Sequence, residues 1–316
     1  MATTTDNTLF PSSFTPFMIE TQSSPPISIY GIRSSSDESS SPPRPRPPLL
    51  LLHGYPENHF IWHLVAPQLT SRYSVVLMDL RGYGASSKPA HNTLLYAKSH
   101  MANDCIAVMD ALGFAGQPFY VCAHDRGARV AHKLLVDHPA RVPKAILLDI
   151  CPTLAMYTTP NPEFPKAYFH WYFLIQQYPL PETLINGAPR QTVEMFMSGA
   201  DPSHLSMFHK DALAEYIKCM EDKDYVHSTC QDYRASATHD LDEAKADLDR
   251  GRLIQSPIRV LLGKKGIVSC LFDGHKEWSS VAADGVPVEV VDVDAGHFIP
   301  EEIPDVVVSH ILEFLQ

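Results

Sequence analysis

Two hydrophobic patterns alternate along the chain. Short, almost wholly apolar runs recur at Leu49–Leu52, Ser74–Met78, Phe119–Ala123, Lys144–Leu148, Ile258–Leu262 and Val288–Val291. Runs of this length suit strands covered on both faces, which predicts a mostly parallel sheet flanked by helices. Between them, Ser99–Leu112 and Arg129–Val136 carry apolar residues at helical spacing. Near the end of the chain, Ile303, Val307, Ile311, Leu312 and Leu315 fall on one face of a predicted terminal helix. Ahead of the first run, Phe17–Gln22 and Ile27–Ile32 alternate apolar and polar residues between Ser-Pro turns, as strands do. Alternating β and α elements read as an open α/β fold.

Two stretches break this rhythm. Residues 34–48 are rich in serine and proline and hold nothing with which to build a core, so they predict a surface loop. Residues 153–255 lack a clear buried strand and are rich in aromatics, proline and helix-compatible segments. A helical cap inserted there would lie over the C-terminal ends of the strands and exclude water from a pocket. The expected organisation is a first core segment at 1–152, a cap at 153–255 and a second core segment at 256–316.

Composition narrows the class. Of 316 residues, 45% are hydrophobic and 19% charged, the balance of a folded globular protein rather than a disordered one. The net charge of −11 argues against a general nucleic-acid or anionic-membrane surface, leaving a small molecule as the expected partner. A homodimer stays compatible with everything in the sequence. No apolar run approaches the roughly 20 residues that span a bilayer. The first residues carry neither a basic start nor an apolar signal core, and the six cysteines form no C-x-x-C pair. The expectation is a reduced, cytoplasmic protein.

The chemistry concentrates at strand ends. The run Phe119–Ala123 passes directly into a helix through Ala123-His124-Asp125-Arg126-Gly127. Small residues two positions either side of a central nucleophile mark the sharp strand-to-helix turn of hydrolases that carry serine at its centre. Here the central residue is aspartate, which also caps helices well. As a nucleophile, a carboxylate would displace a leaving group from saturated carbon and form an ester that water can hydrolyse.

Other segments favour the catalytic reading. After Leu52, the turn His53-Gly54-Tyr55-Pro56 places the Tyr55 N–H, with the N–H of Arg126, where an oxyanion hole is built. His297 lies on a loop after the last strand, as a general base does. For the acid that orients it, Asp149 stands at the end of Lys144–Leu148, with Asp273 as the alternative. The place after Leu262 where such hydrolases often carry that acid reads Gly263-Lys264-Lys265-Gly266.

With these motifs in hand, the chain resembles α/β-hydrolases with an aspartate nucleophile, the group of haloalkane dehalogenases and epoxide hydrolases. Within it, the nearest pattern is that of fluoroacetate (haloacetate) dehalogenases. The resemblance runs from about Leu49 to the C-terminus. It is densest at His124–Arg129, His170-Trp171, Asp232-Tyr233-Arg234 and Gly296–Glu302. It implies Asp125 as nucleophile, His297 as base and Asp149 as acid. It also implies Arg126 and Arg129 as the clamp on a substrate carboxylate, and His170, Trp171 and Tyr233 as donors to the departing halide. Two arginines three apart at a helix start can share a face, and planar guanidinium forks suit a carboxylate. Imidazole, indole and phenol donors can cradle a small anion. The implied reaction is hydrolytic release of halide from a short 2-haloacid such as fluoroacetate or chloroacetate, with no cofactor.

Two other functions compete. The stretch Arg81–Pro89 resembles epoxide hydrolases, which activate the epoxide oxygen with cap tyrosines, for which Tyr157, Tyr168 and Tyr233 are candidates. Arg126, standing where those enzymes usually carry an aromatic residue, weighs against this reading. A non-catalytic ligand receptor is the third, and the Asp125–His297 pairing weighs against it. Gly82-Tyr83-Gly84 tempts a dinucleotide reading, but Ser87 occupies the third glycine position and Asp79 precedes the loop. His59 and His63 have metal-binding spacing without an evident third ligand, so no metal is expected.

Overall fold

The computed structural model describes residues 9–21, 24–35, 46–89, 92–199 and 201–316. Most of the Ser/Pro-rich stretch expected as a loop, at 36–45, lies outside the described residues; of its flanks, Ser34 closes one strand and Pro48 opens the next.

Eight strands form one sheet: β1 (Phe14–Glu20), β2 (Ser28–Ser34), β3 (Pro48–Leu52), β4 (Ser74–Met78), β5 (Tyr120–His124), β6 (Ala145–Leu148), β7 (Ile258–Gly263) and β8 (Val288–Val293). Their order is β1-β2-β4-β3-β5-β6-β7-β8. β1 pairs with β2, and β2 with β4, in antiparallel fashion; every later pairing is parallel. The central strands are apolar throughout because both faces are covered, and Leu49 to Leu52 are wholly buried. Each such side chain contributes about 1.5–3 kcal/mol relative to exposure. β8 departs from the expectation. It is the outer strand, and its residues are mostly half-buried or exposed, so its apolar run covers only part of the sheet edge.

Two helices also differ from the pattern. The segment expected from Arg129 begins at Asp125 and runs to Asp137, because the turn after β5 enters helical geometry at once. The helix Lys98–Met109 gives way to a wider turn at Asp110–Phe114, where Gly113 takes φ 98°. The terminal helix Pro304–Phe314 buries Val307 and Ile311 as expected, with Leu315 just beyond it.

Between β6 and β7 the described residues hold helices and no named strand. The helix Lys223–Ser236 runs through the middle of this insert and is buried along most of its length. It is tied to the core by polar bonds: Tyr83 Oη donates to Asp232 Oδ2 at 2.7 Å, and Tyr225 Oη to the Pro56 carbonyl at 2.9 Å. Oη of Tyr96 and Oγ of Ser228 are 2.8 Å apart.

Candidate active site

Asp125 is the first residue of its helix and has φ 42°, a left-handed conformation that a non-glycine residue holds only under strain. The strain aims the carboxylate out of the turn. Gly127 must be small there, since a Cβ would collide with the His53 carbonyl and lie 2.7 Å from Leu52 Cβ. Gly54 is equally constrained, since its Cβ would stand 2.6 Å from Asp125 Cβ. The Tyr55 N–H donates to Asp125 Oδ2 at 3.1 Å. Oδ1 takes no hydrogen bond among the described residues and lies at a cleft that Asp125 lines.

His297 Nδ1 lies 2.6 Å from Asp149 Oδ2, and the other Asp149 oxygen accepts the Gly263 N–H at 3.1 Å. Asp149 also has positive φ, 49°, at the end of β6. The alternative, Asp273, is exposed and caps the helix Gly274–Ser279 by accepting the Lys276 N–H at 3.0 Å. Burial works against the imidazolium, but the Asp149 bond and charge, with Asp125 and Glu57, raise the His297 pKa to about 9. Burial likewise opposes ionisation of Asp125, and His297, His124, Arg126 and Arg129 outweigh it, holding its pKa below the ordinary value.

Arg126 and Arg129 are both buried behind this turn, but neither presents a free fork. Arg126 Nε donates to Asp232 Oδ2 at 2.8 Å, and Nη2 to the Asp232 carbonyl at 2.9 Å and Ser236 Oγ at 2.7 Å. Its Nη1 is buried without a partner among the described residues. Arg129 donates through Nη1 to Thr153 Oγ1 at 2.7 Å and through Nη2 to Met156 Sδ at 3.2 Å, leaving Nε without a partner. Lys98 shares Asp232 with Arg126 and lies 3.4 Å from Asp240, so two cations are matched by two carboxylates. Arg129 has no carboxylate in ion-pair contact among the described residues. Burial, then the charge of Arg126, lower its pKa from the ordinary value.

The cleft encloses about 600 Å³. Tyr55, Asp125, His170, Tyr233 and His297 line it, whereas Trp171 is buried and does not. The structure nonetheless brings the three aromatic candidates together, with the Tyr233 ring centroid 6.0 Å from His170 and 6.3 Å from Trp171. The guanidinium of Arg126 stands 4.2 Å from the Tyr233 centroid, and that of Arg129 4.7 Å from Trp171. Desolvation lowers the His170 pKa to about 3, which leaves the ring neutral. Tyr168 also lines the cleft, and the buried Tyr157 Oη has no partner among the described residues.

The sequence reading missed three participants. Asp232 is the counter-ion that a buried Arg126 requires. His124 donates through Nε2 to the His297 carbonyl at 2.8 Å, with the rings 4.7 Å apart. Glu57 accepts the Gly54 N–H at 3.0 Å and lies 3.4 Å from His124 Nδ1. The pairs Arg126–Asp232, His124–His297 and Glu57–His124 are distant in sequence, and no local pattern marks them. Elsewhere, His59 Nδ1 pairs with Asp79 at 2.8 Å and His63 Nδ1 donates to the Phe60 carbonyl at 2.9 Å, so the two rings serve separate packing roles.

Residues 47–189 match the model of the alpha/beta hydrolase fold family. The chain is 38% identical to fluoroacetate dehalogenase from Burkholderia sp., over 85% of this chain and 87% of that protein. It is 28% identical to soluble epoxide hydrolase from Corynebacterium sp. (strain C12), over 84% and 89% of the two chains. Among solved structures, one from Nostoc sp. PCC 7120, designated an alpha/beta hydrolase, superposes with TM-score 0.86 at 42% identity. That match covers 96% of this chain and 99% of the other.

Proposed function

This chain belongs to the α/β-hydrolase family, alongside fluoroacetate dehalogenase and epoxide hydrolases, and we propose that it removes halide from 2-haloacids through an ester on Asp125. Arg129 carries this reading. A buried cation without a carboxylate partner, beside a second buried guanidinium with one unpaired nitrogen, is a costly arrangement unless an anion completes it. A substrate carboxylate supplies that anion. Arg126 Nη1 and Arg129 Nε are the donors left for it; neither guanidinium lines the cleft, and Arg129 lines a separate pocket with Lys98, Thr153 and Asp240, so the carboxylate would have to reach past the lining.

In this mechanism, Oδ1 of Asp125 attacks the α-carbon from the side opposite the halogen. The new C–O bond forms as the carbon–halogen bond breaks and the halide leaves with the electron pair. His170 and Tyr233 form the receiving aromatic wall, with Trp171 packed behind Tyr233. Esterification removes the Asp125 charge, one of the anions holding the proton on His297, so the histidine gives that proton to solvent and, now neutral, can accept another. Water then adds to the Asp125 ester carbon and gives its proton to His297. The developing oxyanion on Oδ2 keeps the Tyr55 N–H, and the Arg126 N–H is the second donor of the proposed hole. Collapse of this adduct releases the 2-hydroxyacid, whose oxygen takes the proton back. No step calls for a cofactor. Six free cysteines and the absence of a membrane-spanning helix among the described residues support a cytoplasmic setting.

Tyr168 and Tyr233 in the cleft favour a second reading, opening of an epoxide by the same carboxylate with tyrosine donors on the epoxide oxygen. One assay separates the two: halide release from fluoroacetate and chloroacetate, with Asp125→Asn as control and styrene oxide as competing substrate. The haloacid reading expects release that the substitution lowers by at least a thousandfold. Diol formation without halide release would transfer the assignment to epoxide hydrolysis.

A further inference from the structure

The cleft is too large and too apolar for a two-carbon haloacid alone. At about 600 Å³ it lies within the roughly 300–1,000 Å³ of pockets that enclose drug-sized ligands. Its polar groups divide into two sets. Around Asp125 they are Tyr55, Tyr168, His170, Tyr233 and His297, of which the proposed reaction uses the last three side chains. Further out, the polar groups are occupied by the protein itself. Glu302 accepts the N–H groups of Gly296 at 2.7 Å and Phe298 at 3.0 Å, His204 Nδ1 donates to the Ser198 carbonyl at 3.1 Å, and Lys265 pairs with Asp294 at 3.0 Å. The remaining outer wall comes from Phe169, Met195, Phe196, Met197, Met207 and Phe298. Methionine and aromatic side chains form an adaptable apolar surface that asks nothing polar of its ligand.

We infer that the substrate is a 2-haloacid bearing an apolar chain or ring on its α-carbon, held by this methionine and phenylalanine wall. The inference rests on the proposed chemistry at Asp125. In that pose the nucleophile, the halide and the carboxylate claim three directions from the α-carbon. The carboxylate points toward the arginines buried behind the lining and the halide toward His170 and Tyr233, which leaves the open cleft for a larger substituent. Hydrogen takes the fifth. Attack opposite the halogen inverts the α-carbon, and hydrolysis at the Asp125 carbonyl leaves that configuration in place. A single enantiomer of the substrate therefore gives the hydroxyacid of opposite hand.

Kinetics across a substrate series test this with the full-length protein. 2-Bromopropanoate, 2-bromobutanoate and 2-bromo-3-phenylpropanoate share a secondary reacting carbon and differ in the size of the substituent. The expected result is a kcat/KM at least tenfold higher for the phenyl compound than for 2-bromopropanoate, with inversion at the α-carbon. A flat or falling series would overturn the inference and leave the chemistry at Asp125 intact. Calorimetric titration with the hydroxyacids 3-phenyllactate and glycolate needs no turnover. At least tenfold tighter binding of 3-phenyllactate supports the apolar wall even if no haloacid reacts, in which case the Asp125 chemistry alone fails. Equal binding overturns the inference.

Discussion

His297 and Asp125 hold one another in their charged forms, and the proposed reaction depends on that coupling being broken. With a pKa of about 9, the free enzyme keeps His297 protonated at neutral pH, which suits a resting ion pair but not a base. Esterification of Asp125 removes one of the charges responsible, so the base appears only after the first step. Asp149→Asn should therefore spare alkylation and slow hydrolysis of the ester by roughly 10²–10⁴-fold. The alkyl-enzyme would then accumulate, visible as added mass on the intact protein and as a halide burst stoichiometric with enzyme. Steady turnover without an adduct would remove Asp149 from that role. Its place was legible in the sequence, because an aspartate closing an apolar strand has few reasons to stand there. The partner of Arg126 was not, since Asp232 lies far along the chain and only the fold brings the two together.

At the scale of elements, Asp232 joins three pieces: the helix starting at Asp125, the cap helix Lys223–Ser236, and Lys98 at the start of another core helix. Its carboxylate is buried, and Arg126 and Lys98 hold its pKa low against the cost of burial. Asp232→Asn keeps the shape and removes the charge, leaving Arg126 without a carboxylate while Lys98 keeps Asp240. Breaking a buried pair in this way costs about 3–5 kcal/mol, so a clear fall in Tm is expected. KM for haloacids should rise as well, because Arg126 loses its anchor, and KM for the neutral haloacetamide should rise less. An equal effect on both would make Asp232 a stabilising latch alone. The central strands β3 to β7 were legible because burial on both faces writes itself as unbroken apolar runs. The helix start at Asp125 was not, since Asp125-Arg126-Gly127 carries no apolar period and the turn is set by close packing against His53 and Leu52.

For the molecule as a whole, the buried groups shifted from their ordinary values, in both directions, set how stability varies with pH. Burial raises the Glu301 pKa to about 8; the Tyr216 hydroxyl, donating to Oε1 at 2.9 Å, works against that rise, and the charge of Glu57 adds to it. His63 Nδ1 stands 3.8 Å from its other oxygen. Since its ordinary value is 4.5, Glu301 favours the folded state fully below that pH, and the contribution is lost as pH rises through about 8. His297 acts in the same direction from 6.5, losing its contribution as pH passes about 9. Asp79 has the opposite sign: its value, lowered from 3.8 to about 2, adds stability that disappears only as pH falls through about 2. His170 and His132, lowered by burial from 6.5 to about 3 and about 4, add stability that is lost as pH falls through those values, so the decline due to Glu301 and His297 is the one expected between about pH 6.5 and 9. Glu301→Gln keeps an acceptor for Tyr216 and removes the titration. At pH 8 it should be more stable than the parent protein by on the order of a few kcal/mol, and the two should converge near pH 4.5. Thermal unfolding of both proteins from pH 4.5 to 9 measures this directly. Parallel curves would mean that the carboxyl of Glu301 is ionised throughout, with the decline belonging to His297 alone.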